Sequence, residues 1–112
     1  MSISHAGRRN KGNAAEREVL TLLRDSLGDH IVRTRLEGEQ DRGDISLPEM
    51  TLQVKNYSDV VRAVREGLDG ASEQRARNGH QWGAAVIRRR GGRYFVAMEF
   101  DDWLSLYREA TI

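Results

Sequence analysis

Gly43-Asp44-Ile45-Ser46-Leu47-Pro48-Glu49-Met50-Thr51-Leu52-Gln53-Val54-Lys55 is the stretch that decides the fold. Apolar and polar residues alternate on either side of Pro48, the two-residue period of strands with one face buried. Residues 44–47 and 51–55 therefore read as two short strands joined around the proline. Ile45 and Leu47 face the core in the first, so Asp44 and Ser46 face the other way. In the second, Leu52 and Val54 face the core, so Gln53 and Lys55 share the opposite face. With an even number of loop residues, Asp44, Gln53 and Lys55 lie side by side; a one-residue slip separates them.

Working outward, residues 1–10 show no hydrophobic period and read as a basic, flexible arm ahead of a single domain over residues 11–112. A helix runs from about Asn13 to Leu27 and stops at Gly28. At roughly 100° per residue, Leu20, Leu23 and Leu27 all fall within about 40° of Glu16. A carboxylate on an apolar stripe costs several kcal/mol unless a cation, metal or hydrogen-bond donor meets it. Its bland reading is as the capping-box partner of Asn13. His30 to Leu36 alternates as a strand, with Ile31, Arg33 and Arg35 on one side.

Beyond Lys55, a turn leads into a helix with Val60, Val61, Val64 and Leu68 at helical spacing. Gly67 and Gly70 are expected to break it before it resumes through Asn78. Ala84-Ala85-Val86-Ile87 reads as a strand buried on both faces, and Gly91-Gly92 as a hairpin turn. A last strand covers Arg93 to Phe100, and Asp101 or Asp102 caps a final helix. The order αβββαββα describes an α/β domain with a mixed central sheet flanked by helices.

Composition bounds the function. One core of 112 residues leaves no room for a separate recognition domain. No apolar run approaches the ~18 residues that span a bilayer, the N-terminus lacks a secretory pattern, and zero cysteines fit a reducing cytoplasm. The net charge is +1, yet the cations cluster: Arg8, Arg9 and Lys11; Arg75 and Arg77; Arg88, Arg89, Arg90 and Arg93. Such clusters on a nearly neutral chain suit a phosphate-binding face balanced by an acidic site. A solvated charged surface is the alternative. The last cluster reads equally as a DNA-backbone contact or a solvated hairpin tip. His5, His30 and His80 lack metal-ligand spacing and read as surface residues. Trp82, Trp103 and Tyr107 read as core or dimer contacts.

The grouped residues suit phosphodiester hydrolysis, which needs an activated water and neutralised charge on phosphate oxygens. Mg2+ supports both and takes a few oxygen ligands. Glu16 and Asp44 offer carboxylates, Gln53 its amide oxygen and Val54 its main-chain carbonyl. Lys55 would orient the water and stabilise charge at the scissile phosphate.

Lys11-Gly12, Ala15-Glu16-Arg17-Glu18, Val32-Arg33-Thr34, Gly43-Asp44-Ile45 and Leu52-Gln53-Val54-Lys55 together resemble the PD-(D/E)XK nuclease superfamily. Within it, the chain is most similar to archaeal-type Holliday-junction resolvases over roughly residues 8 to 57. The resemblance implies a restriction-endonuclease-like core and catalytic or metal roles for Glu16, Asp44, Gln53 and Lys55. It implies phosphate contacts for Arg17 and Arg33; Arg35 and the basic arm (Arg8, Arg9, Lys11), which leads directly into the helix bearing Glu16, are further candidates on their own position. It further implies Mg2+ (or Mn2+) dependence, four-way DNA junctions as substrate and a homodimer that nicks two strands. Gly43 replaces the motif's proline. Gln53 replaces an acid, as in active Mrr-like Q-x-K relatives, and Glu37, Glu39 or Asp41 could supply the missing charge. Trp103, Leu106 and Tyr107 mark one possible dimer face. The setting implied is cytoplasmic, in the nucleoid or a phage-infected cell. Three alternatives stand: a restriction-like or repair nuclease on other DNA, a non-catalytic DNA-binding subunit of the same fold, and a protein-interaction domain whose Glu16 only caps its helix.

Overall fold

Hairpin pairing builds the sheet. The computed structural model describes residues 5–34 and 44–112, with side chains described for 14–33 and 45–112. Its elements are α1 (His5–Leu27), β1 (Arg33–Thr34), β2 (Asp44–Leu47), β3 (Met50–Lys55), α2 (Val60–Asn78), β4 (Trp82–Arg88), β5 (Tyr94–Ala97) and α3 (Phe100–Thr111). The strands form one five-stranded sheet in the order β1-β2-β3-β4-β5. Only β3 and β4 are parallel, joined by α2; the other neighbours are antiparallel. The αβββαββα order and the mixed sheet are as expected. Among the described residues, no helix is long and apolar enough to cross a membrane.

Asp44 pairs with Gln53, Ile45 with Leu52, Ser46 with Thr51 and Leu47 with Met50. The loop is therefore the even pair Pro48-Glu49, and the expected parity holds. Glu49 takes a left-handed φ of 65°, and its carbonyl accepts from the Trp82 N–H at 3.1 Å, tying the turn to the start of β4.

The two faces of the sheet carry different cores. Under α1, Ala15 and Val19 pack against Val32, Ile45, Leu52, Val54, Ala84 and Val86. Under α2, Ala63 packs with Ala85 and Ile87, flanked by Tyr57, Val64, Leu68, Phe95 and Ala97.

Several local expectations need correction. The arm expected over residues 1–10 is helical from His5 onward. Ala6, Arg8, Arg9, Lys11 and Ala14 are good helix formers, and Gly7 and Gly12 cost only about 1 kcal/mol each. Asn13 thus lies inside α1, not at its start, so it cannot form a capping box with Glu16. The buried stripe of α1 centres on Ala15 and Val19; Glu16 is half-buried at its flank and Leu27 is exposed. Within the strand expected over residues 30–36, pairing covers Arg33–Thr34, because Gly28 (φ 100°) leads into a turn closed by Ile31 N–H to Gly28 O at 3.2 Å. Residues 35 and 36 lie outside the described residues.

α2 is unbroken through both glycines. They face the sheet and let the helix approach it: a Cβ on Gly67 would stand 2.7 Å from the Ala85 Cβ. The helix therefore turns its small side to β3 and β4, leaving Val60 and Val61 exposed. Asp59 caps it, its Oδ1 accepting from the Arg62 N–H at 3.1 Å. Asp59→Ala is expected to cost about 1 kcal/mol, read as a lower urea midpoint at unchanged slope.

α3 begins at Phe100, with Glu99 at its N-cap position. Asp101 and Asp102, either of which was expected as the cap, both lie in the first turn of α3, and Asp102 accepts from the Gly83 N–H at 3.2 Å and sits 3.7 Å from Arg75 Nε. The buried Trp82 donates its indole N–H to Ser105 Oγ at 3.1 Å. These contacts dock α3 at the start of β4. Phe100, Trp103 and Tyr107 stack along its outer side, at centroid distances of 5.9 and 5.4 Å.

Candidate functional site

Register assigns the polar residues to faces. Arg33 pairs with Ser46, Ser46 with Thr51 and Asp44 with Gln53. Side chains alternate between faces along a strand, so positions 33, 44, 46, 51, 53 and 55 all belong to the α2 side. The pairing sets positions 44 and 53 directly opposite one another across β2 and β3. The side chain of Asp44 itself lies outside the described residues.

Gln53 is 1% exposed and engages an interaction partner. α2 closes over it at Gly70, where a Cβ would stand 3.2 Å from Gln53 Cδ and 3.3 Å from Oε1. The amide thus occupies a cradle that any larger residue at position 70 would crowd. Val54 turns its side chain into the α1-side core, one residue beyond Gln53.

Lys55 ends β3 half-buried. Its Nζ lies 5.8 Å from the centroid of the Tyr57 ring, and Arg62 Cζ lies 5.3 Å from the same centroid. The Tyr57 hydroxyl donates to Glu66 Oε1 at 3.1 Å, and Arg62 Nε donates to Glu66 Oε2 at 2.5 Å. The Arg62 bond, with help from Tyr57 and the Lys55 charge, holds the Glu66 carboxyl below the usual glutamate range against a desolvation that raises it. Burial, then Glu66, pushes the Tyr57 phenol up, so it stays a donor. The Arg62–Glu66 pair is exposed, and its worth lies in orientation more than stability. Sequence reading missed this group. The Arg62/Glu66 i,i+4 spacing was a usable signal; the reach of Tyr57 to Glu66 had none.

Glu16 and Arg17 rise from α1, on the far side of the sheet from Gln53 and Lys55. Glu16 is half-buried with a partner of its own, and Arg17 is exposed. Register thus brings together Asp44, Gln53, Lys55 and Arg33, but not Glu16. Arg8, Arg9 and Lys11 lie in the first half of α1, and their side chains are outside the described residues, as are Arg35, Glu37, Glu39 and Asp41. His80, expected at the surface, is half-buried: its Nδ1 lies 2.9 Å from Thr51 Oγ1, which also accepts from Asn78 Nδ2 at 3.0 Å.

Among the described residues, no group of three or more His, Asp or Glu side chains could hold a metal ion. Carboxylate and amide oxygens, the residue types at positions 44 and 53, are the hard donors a divalent cation takes, and α2 at Gly70 packs closely on the Gln53 amide. An open apolar groove of about 460 Å³ lies elsewhere, between Val60, Val61, Val64, Leu68 and Glu99. No family model, curated protein or solved structure matches the chain.

Proposed function

We propose that the chain is a divalent-metal-dependent, structure-selective endodeoxyribonuclease with a restriction-endonuclease-like core, resolving four-way DNA junctions by paired nicks. The observation that carries this reading is the register that sets Asp44 opposite Gln53 with Lys55 on the same face.

In this reading Asp44 and Gln53, with the Val54 carbonyl, would hold Mg2+ or Mn2+. When bound, the cation supplies an activated water and neutralises charge on the phosphate. Lys55 orients that water and meets charge developing on the phosphate oxygens. Tyr57 and Glu66 position Lys55 and Arg62 at the end of β3. Arg33, on the same face, receives a neighbouring phosphate, joined by Arg35 and the basic first half of α1 (Arg8, Arg9, Lys11, Arg17). Glu16 is the separable part: it would join the site only past the edge of the sheet, and Glu16→Gln tests it alone. A homodimer presents two such sites to the two strands of a junction, reading DNA shape through its two-fold axis.

Gly70→Ala is expected to leave stability within about 1 kcal/mol, because the gain in helix propensity offsets the crowding. It displaces the Gln53 amide by a few tenths of an ångström and is expected to slow nicking roughly tenfold.

The substrate class is tested by cleaving a four-way junction beside a linear duplex of the same sequence. Junction preference supports the resolvase reading, and equal rates turn it into a nuclease on ordinary DNA. The neutral Gln53 favours one rival, a non-catalytic DNA-binding subunit, which binds the junction and nicks neither DNA.

A further inference from the structure

The turn joining β4 to β5 holds three arginines on a rigid frame. Arg89, Arg90 and Arg93 are all exposed. Arg89 N–H donates to Arg93 O at 2.6 Å and Gly92 N–H to Arg89 O at 3.1 Å. Gly91 and Gly92 take φ of 87° and 80°, a left-handed pair that closes the turn tightly and that side-chain-bearing residues resist. None of the three arginines forms an ion pair among the described residues. Like charges this close repel one another, and a polyanion relieves that repulsion.

Their place in the fold is specific. β3 and β4 run parallel, with Lys55 paired to Ile87, so the turn projects from the sheet end where β3 finishes and β2 begins. Arg89 and Arg90 lie two and three residues past Ile87, and the chain then reverses so that Arg93 is level with Arg89, which sets the three arginines about 7–10 Å beyond the Lys55 row. Phosphates on one DNA strand advance about 3.4 Å per nucleotide along the helix axis. That span corresponds to roughly two to three nucleotides. The guanidinium fork suits phosphate oxygens better than a diffuse acidic surface would require.

From this juxtaposition we propose that Arg89, Arg90 and Arg93 form a second phosphate-binding arm. It grips the DNA backbone about two to three nucleotides from the phosphate held at Lys55. The inference rests on the nuclease reading above. Because the arm stands away from the reacting phosphate, its contribution is to affinity and salt dependence.

The test is fluorescence anisotropy of a dye-labelled four-way junction in EDTA across 50–200 mM salt. Arg90→Gln/Arg93→Gln is compared with Arg24→Gln/Arg108→Gln, which removes the same charge from the last turns of α1 and α3, outside every basic cluster named above. The hairpin variant is expected to bind roughly tenfold more weakly, with a log K against log salt slope smaller by about 1.8, close to 0.9 per lost contact. The protein concentration for half-maximal nicking in Mg2+ rises by a similar factor. The control keeps the wild-type slope. A hairpin variant indistinguishable from the control, while the wild type binds and nicks, overturns the arm and leaves the nuclease standing. A wild type that does not bind the junction overturns both.

Discussion

Lys55→Ala is expected to slow metal-dependent nicking of a four-way junction by on the order of 10²–10³-fold, the usual cost of removing one group that stabilises transition-state charge. Stability should move by less than about 1 kcal/mol, because Lys55 sits half-buried at the end of β3 and surface-type changes are small. Asp44→Asn keeps the shape and removes the charge, so its activity falls comparably and Mn2+ binding weakens with it. The comparison separates chemistry from decoration. If Lys55 merely solvates the end of a strand, its alanine variant nicks at the wild-type rate. Tyr57→Phe is the gentler companion: it keeps the ring beneath Lys55 and Arg62 and loses only the bond to Glu66.

Gly83→Ala is expected to destabilise the fold by about 2–3 kcal/mol, the upper range for overpacking a well-filled core. Its Cβ would stand 2.9 Å from the Ala71 carbonyl oxygen and 3.1 Å from the carbonyl carbon. Both are backbone atoms of α2, so no side-chain rotation relieves the contact and the helix must lift from β4. Gly70→Ala differs in kind, since what it meets is the Gln53 amide. Urea unfolding of the two variants side by side should show a large loss for Gly83→Ala and nearly none for Gly70→Ala. Equal stability in both would mean that α2 does not lie as close to β4 as the structure places it.

Which parts of this could be read beforehand follows from the range of the forces involved. Strand alternation is local, so the parity of Asp44, Gln53 and Lys55 was legible once the loop was taken as even, and Pro48-Glu49 makes it so. The four-residue apolar run in β4 signalled burial on both faces for the same reason. Helix faces were less legible, because small residues pack as well as large ones where backbones approach closely. Gly67 and Gly70 looked like breakers yet are the residues that bring α2 onto the sheet, and the valines that looked like core lie partly in water. The stripe of α1 was read through its leucines, whereas Ala15 and Val19 carry the contact. Glu16 accordingly moved from the centre of that stripe to its flank. The Tyr57–Glu66–Arg62 group depends on how β3 turns into α2, which no periodicity encodes.

The most direct measurement is nicking of a fluorescent four-way junction by the wild-type chain in Mg2+, in Mn2+ and in EDTA. A site built on Asp44, Gln53 and Lys55 yields paired nicks in either metal and none in EDTA. Tight junction binding without a nick in either metal would contradict it, and would point to Gln53 as the substitution that silenced the fold.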